Sequence, residues 1–444
     1  MSEGLTSSAA EGLGRVIGRR PLLSRKEVVH VPNANLKRRQ LLLGAGAVAV
    51  APVLLGAARA DASTPLASLP KPNGSLTITG LEVFVVKVNV RGNWVFARLS
   101  TDKGLTGIGE ASQGGTDDAI SAALEDLFGL VENRSPFDVE AYRQRGWSKA
   151  TTGELYAGAF SALEQAQLDL IGKAIGAPVH QLLGGGAKRD ALDVYANINR
   201  ATNGDRSPEA FAKNAQAAVA DGFLAIKAAV FDDFPALTAP ADQLEQFKEL
   251  GIARAEAIRQ AIGPDIGLGI DCHSHFDVPL AIEVAQRLEP LKLSTYEEPV
   301  QPGTELAELE QIHHAVEQQV SGGESIFGVE GFTPLCRDRA LDIVMPDVKW
   351  CGGVKELGQI ARRAKADGML VSPHNPSGPV TTAVNAQVGA RIPNFLDLEY
   401  AWGEVPWRAE LITPNETFVD GKLPVSDRPG FGIDLNDAVA KAHA

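Results

Sequence analysis

Six acidic or histidine residues recur along the second half of this chain at nearly even intervals. Asp271, Glu297 and Glu324 are separated by 26 and 27 residues, and Asp347, His374 and Glu399 follow at steps of 23, 27 and 25. Each closes, or soon follows, a short apolar run: Ile266–Asp271, Leu293–Glu297, Val320–Glu324, Asp342–Met345, Met369–Ser372 and Phe395–Glu399. If the runs are parallel strands, these side chains share one end of the sheet. Three carboxylates meeting there suit a hard dication, and Mg²⁺ takes a few carboxylates while leaving positions for water and substrate oxygens. Separate carboxylates capping the following helices would be the plainer reading, but the register repeats three times. Asp347 with His374 reads as a base and its orienting carboxylate, which sets the imidazole tautomer and raises its basicity. His273 stands two residues beyond Asp271 and shares its side of the chain. Glu297 and Glu298 are adjacent, and strand alternation aims only one inward. Glu297 is the expected ligand, and Glu298 a helper or cap.

These groups need a scaffold that brings strand ends together. Two more runs, Leu192–Asn197 and Ala225–Ala229, bring the strand count to eight, and Lys227 lies on the second. Helical patterns such as Leu280, Val284 and Leu288 fill the gaps. Eight strands alternating with helices over 190–415 predict a parallel (β/α) barrel of seven to eight units, with its active site at the C-terminal strand ends. Upstream the order differs. Val83, Val85 and Val88, then Trp94–Leu99, flank Arg91-Gly92-Asn93, a hairpin signal. A third strand is expected at Gly107–Ala111, then helices over 117–131, 138–147 and 154–175. Residues 76–187 therefore read as a separate α+β unit. Residues 416–444 carry a short helix that returns to it. The expected fold class is α/β, an N-terminal α+β domain followed by a TIM-type barrel.

The 444 residues carry a net charge of −13, which argues against nucleic acid as a partner. An anionic small substrate remains compatible, because a local cation overrides the global field. Residues 1–62 read as a signal and linker. Lys37, Arg38 and Arg39 precede the apolar run Leu41–Ala58, then small residues offer A-x-A cleavage sites. The Arg38-Arg39 pair is of the twin-arginine export type, so a periplasmic protein is expected, off the membrane once the signal is removed. An uncleaved membrane anchor is the alternative.

Several motifs occur in a specific order: Gly107-Ile-Gly-Glu-Ala, Gln181-Leu-Leu-Gly-Gly, Ile270-Asp-Cys-His, Tyr296-Glu-Glu-Pro, Gly322-Gly-Glu-Ser, Met345-Pro-Asp-Val and Gly352-Gly-Val. In this series the chain resembles the mandelate racemase and muconate-lactonising branch of the enolase superfamily, over about residues 76–440. The resemblance implies that Asp271, Glu297 and Glu324 bind one Mg²⁺ per active site. It makes Asp347 and His374 the proton-abstracting dyad, and gives Glu399 a hydrogen bond to the substrate carboxylate or enediolate. It also implies that the first unit caps the barrel and that the protein is a homo-oligomer. Asp271-x-His273 and Pro373-His374-Asn375-Pro376 are most similar to galactonate-type acid-sugar dehydratases, where the second histidine takes the C2 proton and the first protonates the departing C3 hydroxyl. The racemase pattern of two lysines on the second barrel strand is broken, since Ile226-Lys227-Ala228-Ala229 retains only one. Lys227 is then expected to bind the substrate carboxylate, to balance charge, or to pair with a ligand carboxylate in the barrel core.

The expectation is Mg²⁺-dependent dehydration of an acid sugar, an aldonate or aldarate, to a 2-keto-3-deoxy acid. A cycloisomerase acting on a sugar-acid lactone or anhydro-sugar acid would use the same enolate chemistry. A non-catalytic sugar-acid receptor would require loss of a ligand or base, and none is lost. Candidate substrate contacts are Arg91 in the first hairpin, the loop Ser112–Asp118, and Asn197, Asn199 and Arg200 at the end of the first barrel strand.

Overall fold

The computed structural model describes residues 75–90, 92–184 and 188–444. Residues 1–62, where an export signal is expected, and Arg91 lie outside the described residues. Among the described residues, no helix is long and apolar enough to cross a membrane.

Strands β1 (Ile78–Asn89), β2 (Gly92–Thr101) and β3 (Thr106–Glu110) form an antiparallel sheet in that order. Helices α1 (Asp117–Phe128), α2 (Val139–Ala150) and α3 (Glu154–Ile175) follow. Every residue of α3 from Ala157 to Gly172 is buried, and the helix lies against β2 and β3. The glycines of β3 permit that approach. A Cβ on Gly109 would sit 2.0 Å from the Ala162 carbonyl oxygen, and one on Gly107 2.2 Å from that of Ala166. The Gly-x-Gly of this motif is thus a packing requirement between strand and helix backbones.

After the turn α4 (Val179–Leu182) the chain alternates: β4 (Ala191–Asn197), α5 (Pro208–Ala220), β5 (Ala225–Ala228), α6 (Ala241–Ile262), β6 (Gly267–Asp271), α7 (Val278–Leu288), β7 (Thr295–Glu297), α8 (Leu306–Ala315), β8 (Val320–Gly322), α9 (Gly328–Asp338), β9 (Ile343–Val344), α10 (Val354–Ala366), β10 (Leu370–Val371), α11 (Pro379–Gly389) and β11 (Leu398–Ala401). The eight strands from β4 on are parallel, in the order β10-β9-β8-β7-β6-β5-β4-β11. Val371 of β10 also bridges Phe395, just ahead of β11, which joins the two ends of the sheet. The strands are stiffened by β-branched and apolar residues, and the helices bury their apolar faces against them in one continuous core.

Beyond the barrel, β12 (Ile412–Thr413) pairs with β14 (Asp434–Leu435), and β13 (Lys422–Pro424) adds antiparallel to β4. The last helix, α12 (Asp437–Ala442), lies against β1, where the Lys87 amide donates to the His443 carbonyl at 2.7 Å.

Among the strand ends that differ from the sequence expectation, two carry site residues. The eighth strand starts at Leu398, because pairing with β4 begins at Leu398 opposite Val194, so Glu399 sits inside the strand. β8 stops at Gly322, two residues before Glu324, because Gly323 turns the chain at φ 103°. A side chain on Gly323 would also press on the Phe332 ring, with Cβ at 2.9 Å.

Candidate active site

The parallel register places Asp271 of β6 directly beside Glu297 of β7, and Glu297 beside Ser321 of β8. Glu324 follows in the loop after β8. One carboxylate oxygen from each of Asp271, Glu297 and Glu324 lies within 4.8 Å of the others. Asp271 and Glu297 are fully buried, and Glu324 is half-buried. Asp271 Oδ2 and Glu324 Oε2 are buried without a hydrogen-bond donor in good geometry. Burial and the neighbouring Asp271 push the Glu297 carboxyl well above its ordinary range. Crowded, buried carboxylate oxygens with unfilled lone pairs are the donor set a hard dication uses, so the residues present fit Mg²⁺.

Lys227 on β5 stands among these groups. Its Nζ lies 2.8 Å from Glu297 Oε1, 3.1 Å from Glu399 Oε1 and 3.2 Å from Asp271 Oδ2. Burial opposes its charge, but Glu297 and Glu399 outweigh burial and hold it protonated. Lys227 thus pairs with carboxylates of the barrel core, Asp271, Glu297 and Glu399.

Glu298 binds the adjoining loop. Its Oε1 accepts from the Gly323 amide at 2.8 Å and the Glu324 amide at 3.3 Å, which fixes the loop presenting Glu324. Burial, with repulsion from Glu324, pushes its carboxyl up to about 8. Glu298 has φ 39°, a left-handed value rare for a non-glycine residue and common where a site imposes strain.

His374 follows β10. Its Nδ1 lies 2.9 Å from Asp347 Oδ2, and its Nε2 lies 3.1 Å from Glu324 Oε2 and 3.9 Å from Glu399 Oε2. With Nδ1–H donating to Asp347, Nε2 faces the carboxylate cluster. Burial lowers the basicity of His374, but Glu324 and Glu399, and then Asp347, outweigh it and raise it overall. Asp347 is itself held below the ordinary carboxylate range despite burial, by Lys349 and His374. The loop carrying His374 is clamped on both sides. The Asn375 amide donates to Glu399 Oε2 at 2.8 Å, and the Gly378 amide to Glu110 Oε1 at 2.6 Å. Glu110 also accepts from the Thr381 amide, so it neutralises the N-terminus of α11 from the first unit. Two further bonds reach from that unit to the loops after β9. Ser161 donates to the Val348 carbonyl, and Arg143 to the Gly352 carbonyl.

His273 turns across the opposite side of the cluster, with Nε2 3.1 Å from Asp271 Oδ2 and Nδ1 on Asp232. Asp271 and, against burial, Asp232 push its imidazole up to about 12. Asn197 and Asn199 lie at the end of β4, but protein groups use their side chains. Asn197 Nδ2 donates to Glu399 Oε1 at 2.5 Å, and Asn199 Oδ1 accepts from the Ala229 amide at 2.6 Å. Arg200 donates to Glu404.

Sequence reasoning missed three residues. Lys349 is buried with Nζ 3.0 Å from Asp347 Oδ2, and its place two residues after Asp347, on the same side of the chain, was the available signal. Glu110 stood within the Gly107-Ile-Gly-Glu-Ala motif, but its partners are distant in sequence, and Asp232 gave no signal.

Residues 83–184 match the mandelate racemase/muconate lactonizing enzyme N-terminal domain, and residues 210–439 the enolase C-terminal domain-like family. The chain is 29% identical to a D-xylonate dehydratase of Haloferax volcanii over 402 residues, covering 86% of this chain and 93% of that protein. It is 28% identical to a D-galactonate dehydratase of Pectobacterium atrosepticum over 369 residues, covering 78% and 89%. Among solved structures, a mandelate racemase/muconate lactonizing enzyme from Jannaschia sp. superposes with a TM-score of 0.74 at 31% identity, covering 83% of this chain and 97% of that one. A similarly named protein from Sulfitobacter sp. gives 0.75 at 29%, covering 83% and 96%. With matches spanning both the small sheet-and-helix unit and the barrel, the chain belongs to the mandelate racemase and muconate-lactonizing enzyme family of the enolase superfamily.

Proposed function

We propose that this protein is a hydro-lyase that removes water from an acid sugar, an aldonate or aldarate, to form a 2-keto-3-deoxy acid. The observation that carries the reading is the pair of histidines on opposite sides of one carboxylate cluster. His273 follows β6 and His374 follows β10, four strands apart in an eight-stranded barrel. Relatives named xylonate and galactonate dehydratases support the same chemistry.

A proton beside a carboxylate is weakly acidic, since its loss puts a second negative charge on that group. Asp271, Glu297 and Glu324 would hold Mg²⁺, which when bound supplies Lewis-acid stabilisation of that charge. A cation held by Glu324 would also offset the charge beside His374 Nε2. His374 takes the C2 proton while Asp347 keeps Nδ1–H in place, a contribution of about 10²–10⁴-fold for a positioned base. Lys227 and Glu399, beside the cluster, would meet the substrate carboxylate and tune the local charge. The electron pair left at C2 then forms the C2–C3 double bond as the C3–O bond breaks. His273 gives its Nε2 proton to the departing oxygen, and water leaves. The enol so formed gains a proton at C3 and loses one from its C2 hydroxyl, giving the ketone. The basic, apolar and small-residue order of residues 37–62 supports export to the periplasm.

The test is to assay the protein with Mg²⁺ against mono- and diacid sugars for 2-keto acid formation, with His374→Asn as control. Keto acid from one or a few sugars, abolished in the variant, is the expected result. Absence of keto acid, with His374-dependent uptake of solvent deuterium at C2, would replace dehydration by isomerisation.

A further inference from the structure

His273 does not reach its position by strand geometry alone. It and Ser274 have φ of 44° and 59°, so the chain folds back immediately after β6. This turn delivers the ring Nδ1 to Asp232 Oδ1 at 2.5 Å. Asp232 lies on the loop after β5, the preceding strand. The same relation holds across the barrel, where Asp347 follows β9 and His374 follows β10. Each histidine therefore takes its carboxylate from the loop one strand earlier.

The loop that carries Asp232 is braced for this. Arg254 of α6, buried, donates to the Val230 carbonyl at 2.7 Å and grips both oxygens of Asp233 at 2.6 and 2.7 Å. Arg206 donates to the Ala229 carbonyl at 2.7 Å and stands 3.6 Å from Asp232 Oδ2. Arg254 Nε in turn donates to the Arg206 carbonyl at 2.6 Å. Phe231 meets Phe276 edge-on, with ring centroids 5.0 Å apart, which packs the two loops together. Two arginines and an aromatic pair thus fix one aspartate against one imidazole, an investment of polar contacts that a freely moving surface loop does not need.

We propose that Asp232 is a positioning residue for His273, forming a second histidine–carboxylate dyad that serves the leaving-group side of the reaction. It holds Nδ1–H throughout, so that the proton on Nε2 is the one delivered. The C3–O bonding pair leaves with oxygen, the Nε2 proton joins it as water, and the ring ends neutral with its Nδ1–H still on Asp232. This inference rests on the dehydratase reading, and its test separates the two.

The variants are Asp232→Asn, Asp232→Glu and His273→Asn in the full chain, assayed with Mg²⁺ on a sugar acid that the wild type dehydrates. Two rates are followed: 2-keto acid formation, and solvent deuterium entering C2 of recovered substrate. In Asp232→Asn, dehydration should fall by about 10²–10⁴-fold, the range a positioned acid supplies. KM should stay within a few-fold and C2 exchange should persist, so the ratio of exchange to dehydration rises. Asp232→Glu should recover part of the loss. Equal loss of both rates, or no loss of either, overturns the proposal while leaving the dehydratase reading intact. A measurement without substrate completes the test. In protein with ¹⁵N-labelled histidine, a His273 Nδ1–H proton is expected far downfield in the wild type and absent in Asp232→Asn with an unchanged circular dichroism spectrum. Absence of that proton from the wild type overturns the dyad whatever the protein dehydrates.

Discussion

Replacing Lys227 by Met keeps the length and apolar stem of the side chain and removes only its charge. In the wild type that charge lies 2.8–3.2 Å from Glu297, Glu399 and Asp271, all fully buried. Removing one partner of a buried ion pair costs roughly 3–5 kcal/mol, because the remaining charge is stranded in a poorly solvating interior. Unfolding entropy scales at about 2.1 cal/mol/K per residue, so the roughly 370 described residues give about 0.8 kcal/mol/K and the loss becomes a fall in Tm of about 4–6 °C. Mg²⁺ should act in the opposite sense. A ligand that binds only the folded state stabilises it in proportion to the logarithm of its affinity, and carboxylates without Lys227 attract a dication more strongly. Each tenfold gain in affinity adds about 1.4 kcal/mol. The rise in Tm on adding Mg²⁺ should therefore be larger for Lys227→Met than for the wild type. Scanning calorimetry of both proteins in EDTA and in Mg²⁺ measures each quantity. Identical melting in EDTA, or equal Mg²⁺ increments, would refute the view of Lys227 as the counter-charge of an otherwise unbalanced metal site.

Other consequences concern packing and pH. Gly109→Ala places a Cβ 2.0 Å from the Ala162 carbonyl oxygen, and forcing β3 from α3 should cost about 3 kcal/mol in denaturant titration; a neutral result would mean that the two backbones separate freely. Glu110→Gln turns one of the two oxygens that accept from the Gly378 and Thr381 amides into an NH₂ that cannot accept. The expected cost is about 2–4 kcal/mol, together with lower activity, because the same loop carries His374; unchanged stability and turnover would sever that link. Asp397 lines a cavity of about 140 Å³ together with Lys227 and Glu297, and burial pushes its carboxyl up to about 6. A carboxyl raised in the folded state binds more protons than the unfolded chain between about pH 4 and 6, so stability falls as pH rises through that window and the cost is complete above it. Because Asp397 keeps partial solvent contact, Asp397→Asn should stabilise the protein by about 1–2 kcal/mol at pH 8 and by nothing at pH 4. An advantage that is independent of pH would show that the Asp397 charge is not its source.

Much of this arrangement is written in periodicity. Parallel strands that all run the same way finish at the same end, so residues spaced by one strand and one helix land together. That is why Asp271, Glu297, Glu324, Asp347, His374 and Glu399 could be placed in one mouth from spacing alone. Glu298, by contrast, lies beyond β7 at φ 39°, so a left-handed turn rather than strand alternation sets it apart from Glu297. Hydrogen-bond partners are a different matter, because they are chosen between loops with no regular register. Asp232 meets His273 only because two left-handed residues turn the chain and two arginines hold the facing loop. Glu110 reaches the start of α11 across 268 residues of sequence. The side chains of Asn197 and Asn199, at a rim that suggests substrate, are taken up by Glu399 and the Ala229 amide once the strands are packed. Composition and spacing by themselves determined the barrel, the carboxylate cluster and the Asp347–His374 dyad, since these follow from repeating backbone geometry. Tertiary structure alone decided which charges neutralise Lys227, what holds His273, and how the first unit grips the His374 loop. Those depend on close approach of irregular segments, which no local pattern encodes.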